Sequence, residues 1–268
     1  MYMNKYHFVS IVRKLGLIRV SDLIRFCICF ANTYHLRRRF FAENINVKLP
    51  PAYYIYETFN LDYQSFYNKG LETANWLVDN LSRHKKIENI TILDWGCGPG
   101  RIIRHLPNVV PTTCSLYGSD YNISYIKWCK KNIPEVTFKE NKLLPPLDFK
   151  NNFFDVVYGI SIFTHLSEEM HYRWFSELLR VTRPGGIIFI TLQGGVFKTK
   201  LLDSQILRFD KGELIVKANT KEGHRTFCAF HPTSFVKKLI GNNEILEHVP
   251  GVNLNRKFQQ DIWIIKKV

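Results

Sequence analysis

The sequence predicts an α/β fold, a mostly parallel sheet with helices on both faces, preceded by a helical segment. Three observations predict it. From about residue 88 onward, apolar strand-like runs alternate with amphipathic helical runs. The run Ile92-Leu93-Asp94-Trp95-Gly96-Cys97-Gly98-Pro99-Gly100 reads as a strand, a tight glycine loop and a helix start. Asp94, Asp120, Gly159, Ser161 and Thr191 fall at the carboxyl ends of expected strands, where open sheets of this kind bind ligands.

Taken in order, residues 1–85 form the expected N-terminal helical cap or lid. Apolar positions 71, 74, 77, 78 and 81 have helical spacing, and Leu49-Pro50-Pro51 stops any earlier helix. Between them Tyr53, Tyr54, Tyr56, Phe59, Tyr63, Phe66 and Tyr67 crowd together, either burying rings on the core or covering a ligand. Residues 86–268 form the second domain. Its strands are expected at 90–94, 115–119, 135–139, 153–159, 186–192, 244–249 and 258–267. Its helices are expected at 100–106, 122–132, 168–181 and 232–240. Residues of about 194–231 interrupt the alternation with Gly194-Gly195 and the turn Asp210-Lys211-Gly212-Glu213, and read as an insertion over the site.

Composition bounds the function. With 46% apolar residues, 268 residues can build a full core, and 20 Phe and 13 Tyr leave rings to line a pocket. A net charge of +14 favours phosphate, acidic sugar, nucleic acid or an anionic membrane face, although the lysines are scattered and Arg37-Arg38-Arg39 is the densest run. The cysteines at 27, 29, 97, 114, 129 and 228 show no CxxC spacing, and no signal peptide precedes them, so reduced thiols in a cytoplasm are expected and no metal site. Residues 15–31 carry Arg19, Asp22 and Arg25, which argues against a spanning helix. A basic amphipathic helix over 11–30 would pack on the body or rest on a membrane surface.

The glycine loop alone leaves several cofactors open, since NAD, FAD, nucleotide sugars and S-adenosylmethionine all use one. Its spacing is Gly-x-Gly-x-Gly, whereas a dinucleotide site is usually Gly-x-Gly-x-x-Gly. Asp94 at the loop entrance would repel a pyrophosphate and suits an amino group instead. Asp120 after the second strand can accept from both hydroxyls of a ribose.

Residues of about 92 to 195 resemble the class I S-adenosylmethionine-dependent methyltransferases. Asp94-Trp95-Gly96-Cys97-Gly98-Pro99-Gly100 matches that family's first motif, and Asp120 in Tyr117-Gly118-Ser119-Asp120 matches its ribose-binding acid. Phe153-Phe154-Asp155-Val156-Val157-Tyr158 and Leu179-Arg180-Val181-Thr182-Arg183-Pro184-Gly185-Gly186 match its fourth and fifth strand regions. The resemblance implies a Rossmann-like seven-stranded sheet with the last strand antiparallel, and S-adenosyl-L-methionine as cofactor with S-adenosyl-L-homocysteine as product. It implies that Asp94, Gly96, Cys97, Gly98 and Gly100 hold the methionine part, Asp120 the ribose, Tyr121 the adenine face, and Asn141 and Leu143 the adenine edges, with Gly159 at the end of the fourth strand. Ser161-Ile162-Phe163-Thr164-His165-Leu166, Leu144-Pro145-Pro146-Leu147 and Gln260-Asp261 further resemble small-molecule methyltransferases of bacterial glycan and capsule gene clusters.

A methyl on a sulfonium is already activated, so the protein's main task is in-line alignment. A hydroxyl acceptor also needs a base. His165 is the first candidate, with His231 and His224 as alternatives. No Asn-Pro-Pro-Tyr-like turn follows the fourth strand and no Pro-Cys dipeptide exists, which disfavours base-modifying DNA enzymes. The expected acceptor is a small anionic molecule, a phosphorylated or nucleotide-linked glycan precursor; an RNA methyltransferase or a non-catalytic cofactor-binding protein are the alternatives.

Overall fold

In a computed structural model of the chain, the structure describes residues 18–217, 222–223, 227–254 and 257–268. The chain divides into two compact units, 1–70 and 71–268. The division falls after Gly70 rather than near 85, because Ala74, Leu77 and Leu81 of one long helix bury in the core of the second unit.

The first unit holds α1 (Ile18–Asn32), α2 (Tyr34–Glu43), α3 (Ala52–Phe59) and the start of α4 (Tyr63–Ser82). Phe40, Ile55, Tyr56, Leu61, Tyr63 and Phe66 form its own small core, which accounts for much of the aromatic crowd. On α1, Phe26 packs edge-on against Tyr53 and Tyr56, and Asp22 accepts from the Tyr56 hydroxyl at 2.9 Å. Val20, Leu23, Ile24 and Ile28 on that helix are exposed. Part of the amphipathic stretch expected over 11–30 lies outside the described residues. None of the described helices is long and apolar enough to cross a membrane.

The second unit is built on seven strands: β1 (Thr91–Trp95), β2 (Ser115–Asp120), β3 (Thr137–Glu140), β4 (Phe154–Ile160), β5 (Thr182–Leu192), β8 (Glu244–Val249) and β11 (Asp261–Lys266), in spatial order β3-β2-β1-β4-β5-β11-β8. Pairings from β3 to β5 are parallel, and β11 runs antiparallel to both β5 and β8. The apolar runs in β1, β4 and β5 are buried on both faces, as parallel strands require. Two cores cover the sheet. One gathers Leu93, Val157, Ile188 and Trp263 with Trp174, Phe175 and Leu178 of α7 (Glu168–Val181); the other gathers Ile92, Val156, Phe189 and Ile264 with Leu77. The strand order reverses at β1, between β2 and β4, and the loops there form the ligand crevice of such a sheet.

Several expectations need correction. The helix expected at 100–106 is a 3-10 turn at Ile103–His105 followed by one α turn, α5 (Leu106–Val109); Pro107 sits in that first turn and Pro111 follows closely. The strand expected at 258–267 starts at Asp261; Lys257–Phe258 (β10) instead pairs with Asn253–Leu254 (β9) as a separate hairpin. β5 begins at Thr182, with residues 183–186 bulged out between the Phe154↔Thr182 and Val156↔Ile187 pairs. The insertion is ordered beyond a turn: a 3-10 segment (Gly195–Lys200), α8 (Asp203–Asp210) and a hairpin of β6 (Ile215–Lys217) and β7 (Cys228–Phe230) enclose Phe197, Phe209, Ile215 and Phe230. The other three helices match: α6 at Ile123–Asn132, α7 at Glu168–Val181 and α9 at Thr233–Ile240.

Candidate active site

The glycine loop leaves β1 and is tied at once to β2: the N–H groups of Gly96 and Cys97 both donate to the Ser119 carbonyl, at 2.8 and 2.9 Å. Gly96 has φ +76°, and a Cβ there would run into the Ile162 side chain, so any other residue is strained in that turn and must displace Ile162. Gly98, with φ +54°, has no heavy atom within 4 Å of where a Cβ would lie, and its bare backbone therefore borders open space.

Asp120 closes the loop from the other side. Its Oδ2 accepts from the Gly98 N–H at 2.9 Å and its Oδ1 from the Asn122 N–H at 2.7 Å. Burial pushes its carboxyl up to about 6 against the pull of those two N–H donors. Asp94 lies deeper. Burial pushes it up to about 7, against the Tyr158 hydroxyl, which faces it, and the Arg101 guanidinium. Burial also raises the Cys97 thiol, which removes it as a nucleophile near neutral pH. Cys97 and Gly100 are packing members of the loop: Cys97 sits against Gly118, and Gly100 against Ile133 and Cys129.

One cavity of about 80 Å³ brings together Trp95, Gly96, Asp120, Tyr121, Asn141 and Leu143 with His165. The wall is braced from behind. Trp95 packs on Phe163 and Trp174, each with ring centroids 5.0 Å away, and the Trp174 indole N–H donates to the Leu143 carbonyl at 3.0 Å. The Asn141 side-chain oxygen is buried with no hydrogen-bond partner, while its amide N–H2 donates to the Lys142 carbonyl.

The insertion reaches this cavity. The Tyr121 hydroxyl donates to the Gly223 carbonyl at 3.2 Å, the Gly223 N–H donates to the His165 carbonyl at 2.9 Å, and the Ser167 N–H donates to Glu222 at 2.5 Å. A Cβ on Gly223 would stand 2.9 Å from Leu143 and 3.7 Å from Tyr121. Residues 222 and 223 therefore form a strap across one end of the cavity. His165 Nδ1 lies 2.8 Å from the Phe227 carbonyl, so that nitrogen carries a proton and donates it.

Several sequence candidates stand apart: Asp94, Cys97, Gly98 and Gly100 do not line the cavity, and neither do Gly159 and His231. Gly159 is not among the cavity's lining residues; its lack of a side chain makes room for the Trp95 indole, which a Cβ would meet at 2.8 Å. His231 is buried and does not line the cavity; its Nε2 lies 2.8 Å from Nε2 of His171 on α7. His171 Nδ1 donates to the Ser167 carbonyl, so its Nε2 accepts from His231. Burial holds His171 down to about 4 and His231 well below the usual histidine range, so this closed pair is no proton acceptor for a ligand in the cavity. His224 lies outside the described residues. Sequence reasoning missed Lys142, Ile162, Leu166, Trp174 and Gly223 as lining residues. Nothing in their local pattern marks them; Trp174 reads as one apolar position of an amphipathic helix.

Comparison with known proteins agrees with this geometry. Residues 92–186, from β1 to the start of β5, match the model of a methyltransferase domain. Over that span the chain is similar to a methyltransferase domain. A tRNA (carboxymethyluridine(34)-5-O)-methyltransferase of Arabidopsis thaliana is 33% identical over 102 residues, 38% of this chain but 23% of that protein. The chain thus aligns with under a quarter of that relative's length. A ubiquinone biosynthesis O-methyltransferase of Pelagibacter ubique is 25% identical over 175 residues, covering 65% of this chain and 69% of that one. Among solved structures, a magnesium protoporphyrin IX methyltransferase from Synechocystis with bound S-adenosylhomocysteine superposes with TM-score 0.54 at 16% identity, covering 92% of this chain and all of the other. An S-adenosylmethionine-dependent methyltransferase from Methanosarcina mazei gives TM-score 0.53 at 20% identity, covering 70% and 97%. At these identities the superpositions establish the fold alone.

The methyltransferase domain's residues fit its cofactor. The unpaired Asn141 oxygen stands where an adenine amino group would supply the missing donor, and buried polar atoms are seldom left without one. The open backbone at Gly98 and the carboxylate of Asp120 suit an amino-acid tail and a ribose.

Proposed function

We propose that the chain is an O-methyltransferase that transfers a methyl group from S-adenosylmethionine to a small anionic acceptor, a phosphorylated or nucleotide-linked glycan precursor. The observation that carries the methyl-transfer reading is the convergence on one cavity of Gly96 from the glycine loop, Asp120, Tyr121, Leu143 and the unpaired Asn141 oxygen. The names of both sequence relatives support oxygen as the acceptor atom. The net charge of +14 supports an anionic acceptor.

The cofactor supplies a methyl group on a positively charged sulfur. The chain's own residues do the rest. Gly96 and Gly98 bring bare backbone close to the ligand, and Asp120 fixes the ribose, so the reacting end is held at a set distance from the ends of β1 and β4. Trp95, Ile162 and Leu166 keep water from the adenosine side. His165 lines that same side and anchors the strap through its backbone carbonyl, while its Nδ1 bonds the Phe227 carbonyl. Its position favours a role in holding the cofactor over one as general base.

The test is transfer of labelled methyl from S-adenosylmethionine to a host extract fractionated into anionic small molecules, lipids and RNA. Label in the anionic small-molecule fraction is expected. Label confined to RNA, in a reaction falling steeply with salt, would instead establish the RNA reading that the Arabidopsis relative and the positive charge also favour.

A further inference from the structure

The geometry points to a second cleft, beside the cofactor cavity, as the seat of the acceptor, and to an uncharged polyhydroxylated ring as the part of the acceptor it holds. This inference rests on the proposed methyl-transfer reading.

The cleft measures about 410 Å³ and opens at the carboxyl ends of β4 and β5, between Ile160, Thr191 and the residues leading into β11. Its other wall is the second half of α4, which contributes Glu72, Thr73 and Trp76. A single turn separates it from the cofactor cavity: Ile160 faces the cleft, Ile162 faces the cavity, and Ser161 lies between them with φ +65°. That strained turn is held by three bonds. The Ser161 N–H donates to Thr191 Oγ1 at 2.9 Å, the Thr191 hydroxyl donates to Gln260 Oε1 at 2.6 Å, and Gln260 Nε2 donates to Ser161 Oγ at 2.8 Å. The glycine-loop side is tied to the cleft as well, since Arg101 donates to Thr73 Oγ1 at 3.2 Å. A group seated in the cleft thus lies one turn of chain from the reacting end of the cofactor.

The lining chemistry selects the ligand. Trp76 is half-buried, held edge-on against Phe189 at 5.3 Å, and offers a flat apolar surface for the C–H face of a ring. Around it stand the amides of Gln259 and Gln260, the hydroxyl of Thr73 and the carboxylate of Glu72. Amides and hydroxyls both donate and accept, as the hydroxyl groups of a sugar ring do. Among the described residues no lysine or arginine lines the cleft, and Glu72 repels a phosphate. The charge of an anionic acceptor therefore stays outside this cleft, and its neutral ring enters.

The experiment uses the full chain saturated with S-adenosylhomocysteine and saturation-transfer NMR. The probes are the methyl glycosides of glucose, mannose and galactose, with choline and catechol as the cationic and apolar comparisons. Ring protons of at least one glycoside should receive saturation. Glu72→Gln and Trp76→Ala should each weaken that glycoside's binding at least tenfold, while S-adenosylhomocysteine affinity stays within twofold. Glu72 is exposed, so its variant tests the proposal even if loss of the Trp76–Phe189 contact disturbs folding. Saturation of choline or catechol with none on any glycoside overturns the inference and leaves the methyltransferase reading standing. Glycoside binding unaffected by either substitution also overturns it. Failure of the wild-type chain to bind S-adenosylhomocysteine overturns the methyltransferase reading and this inference together.

Discussion

Replacing Asp120 by asparagine separates the cofactor's needs from the fold's. The Asp120 carboxyl stands at about 6 against 3.8 for the unperturbed group, so its ionised form carries a burial penalty on the order of 3 kcal/mol at neutral pH. Asparagine is free of that penalty, but its amide nitrogen must face one of the two N–H donors, Gly98 or Asn122, and leaves it unpaired at a cost of about 1–3 kcal/mol. The two effects offset, and the Tm of the cofactor-free protein should move by less than about 4 °C. Cofactor binding has no such offset. Losing a charged acceptor to a ribose hydroxyl costs about 1.5–3 kcal/mol, or roughly 10- to 150-fold in Kd. Titration calorimetry with S-adenosylmethionine measures the second effect and a thermal scan the first. The pH dependence follows from the raised pKa. Stability from the protonated carboxyl is fully present below 3.8 and lost as pH rises through about 6, so on acidification the wild type should gain Tm relative to the variant and the gap should open. Wild-type cofactor affinity should fall below about pH 6, and that of the variant should stay flat. An affinity loss under threefold refutes the ribose role of Asp120. A Tm drop above 10 °C refutes the offset.

Three further outcomes are expected. Gly223→Val places a side chain against Leu143 at φ +79°, and should speed S-adenosylmethionine release about tenfold in stopped-flow measurements; an unchanged rate would show that the strap does not gate the cavity. His165→Ala should weaken cofactor binding and lower kcat less than about tenfold, whereas a fall of 10² to 10⁴ with a lost pH limb would establish it as the general base. The His171 ring, held down to about 4 by burial, should stay neutral at pH 5 in ¹⁵N NMR; because its native pKa lies below 6.5, its contribution to stability is present above that value and fades as pH falls toward 4. A titration of that ring near 6.5 would mean the pair with His231 is open to water.

Much of this molecule is legible from local pattern alone. The central strands and the helices at 122–132, 168–181 and 232–240 follow from runs of apolar residues whose spacing is set by backbone geometry. The glycine loop and Asp120 are legible too, because a turn that excludes Cβ and an acid at a strand end each leave a mark in a few consecutive residues. The rest depends on long-range contact. Gly223 is one glycine in an insertion until the strap lies on Tyr121 and Leu143, 102 and 80 residues away in sequence. In the sequence His165 is the first candidate base and His231 an alternative; burial and the His171 partner remove His231, and His165 lines the cavity with its Nδ1 bonded to the Phe227 carbonyl. Gly159 reads as a site residue, but its neighbour is an indole. Local sequence dictates which elements form because their hydrogen bonds close within a few residues or along an alternating strand. Which side chains meet at the ends of those strands, and with what charge, is decided only when the sheet order brings β1, β4, β5 and β11 side by side.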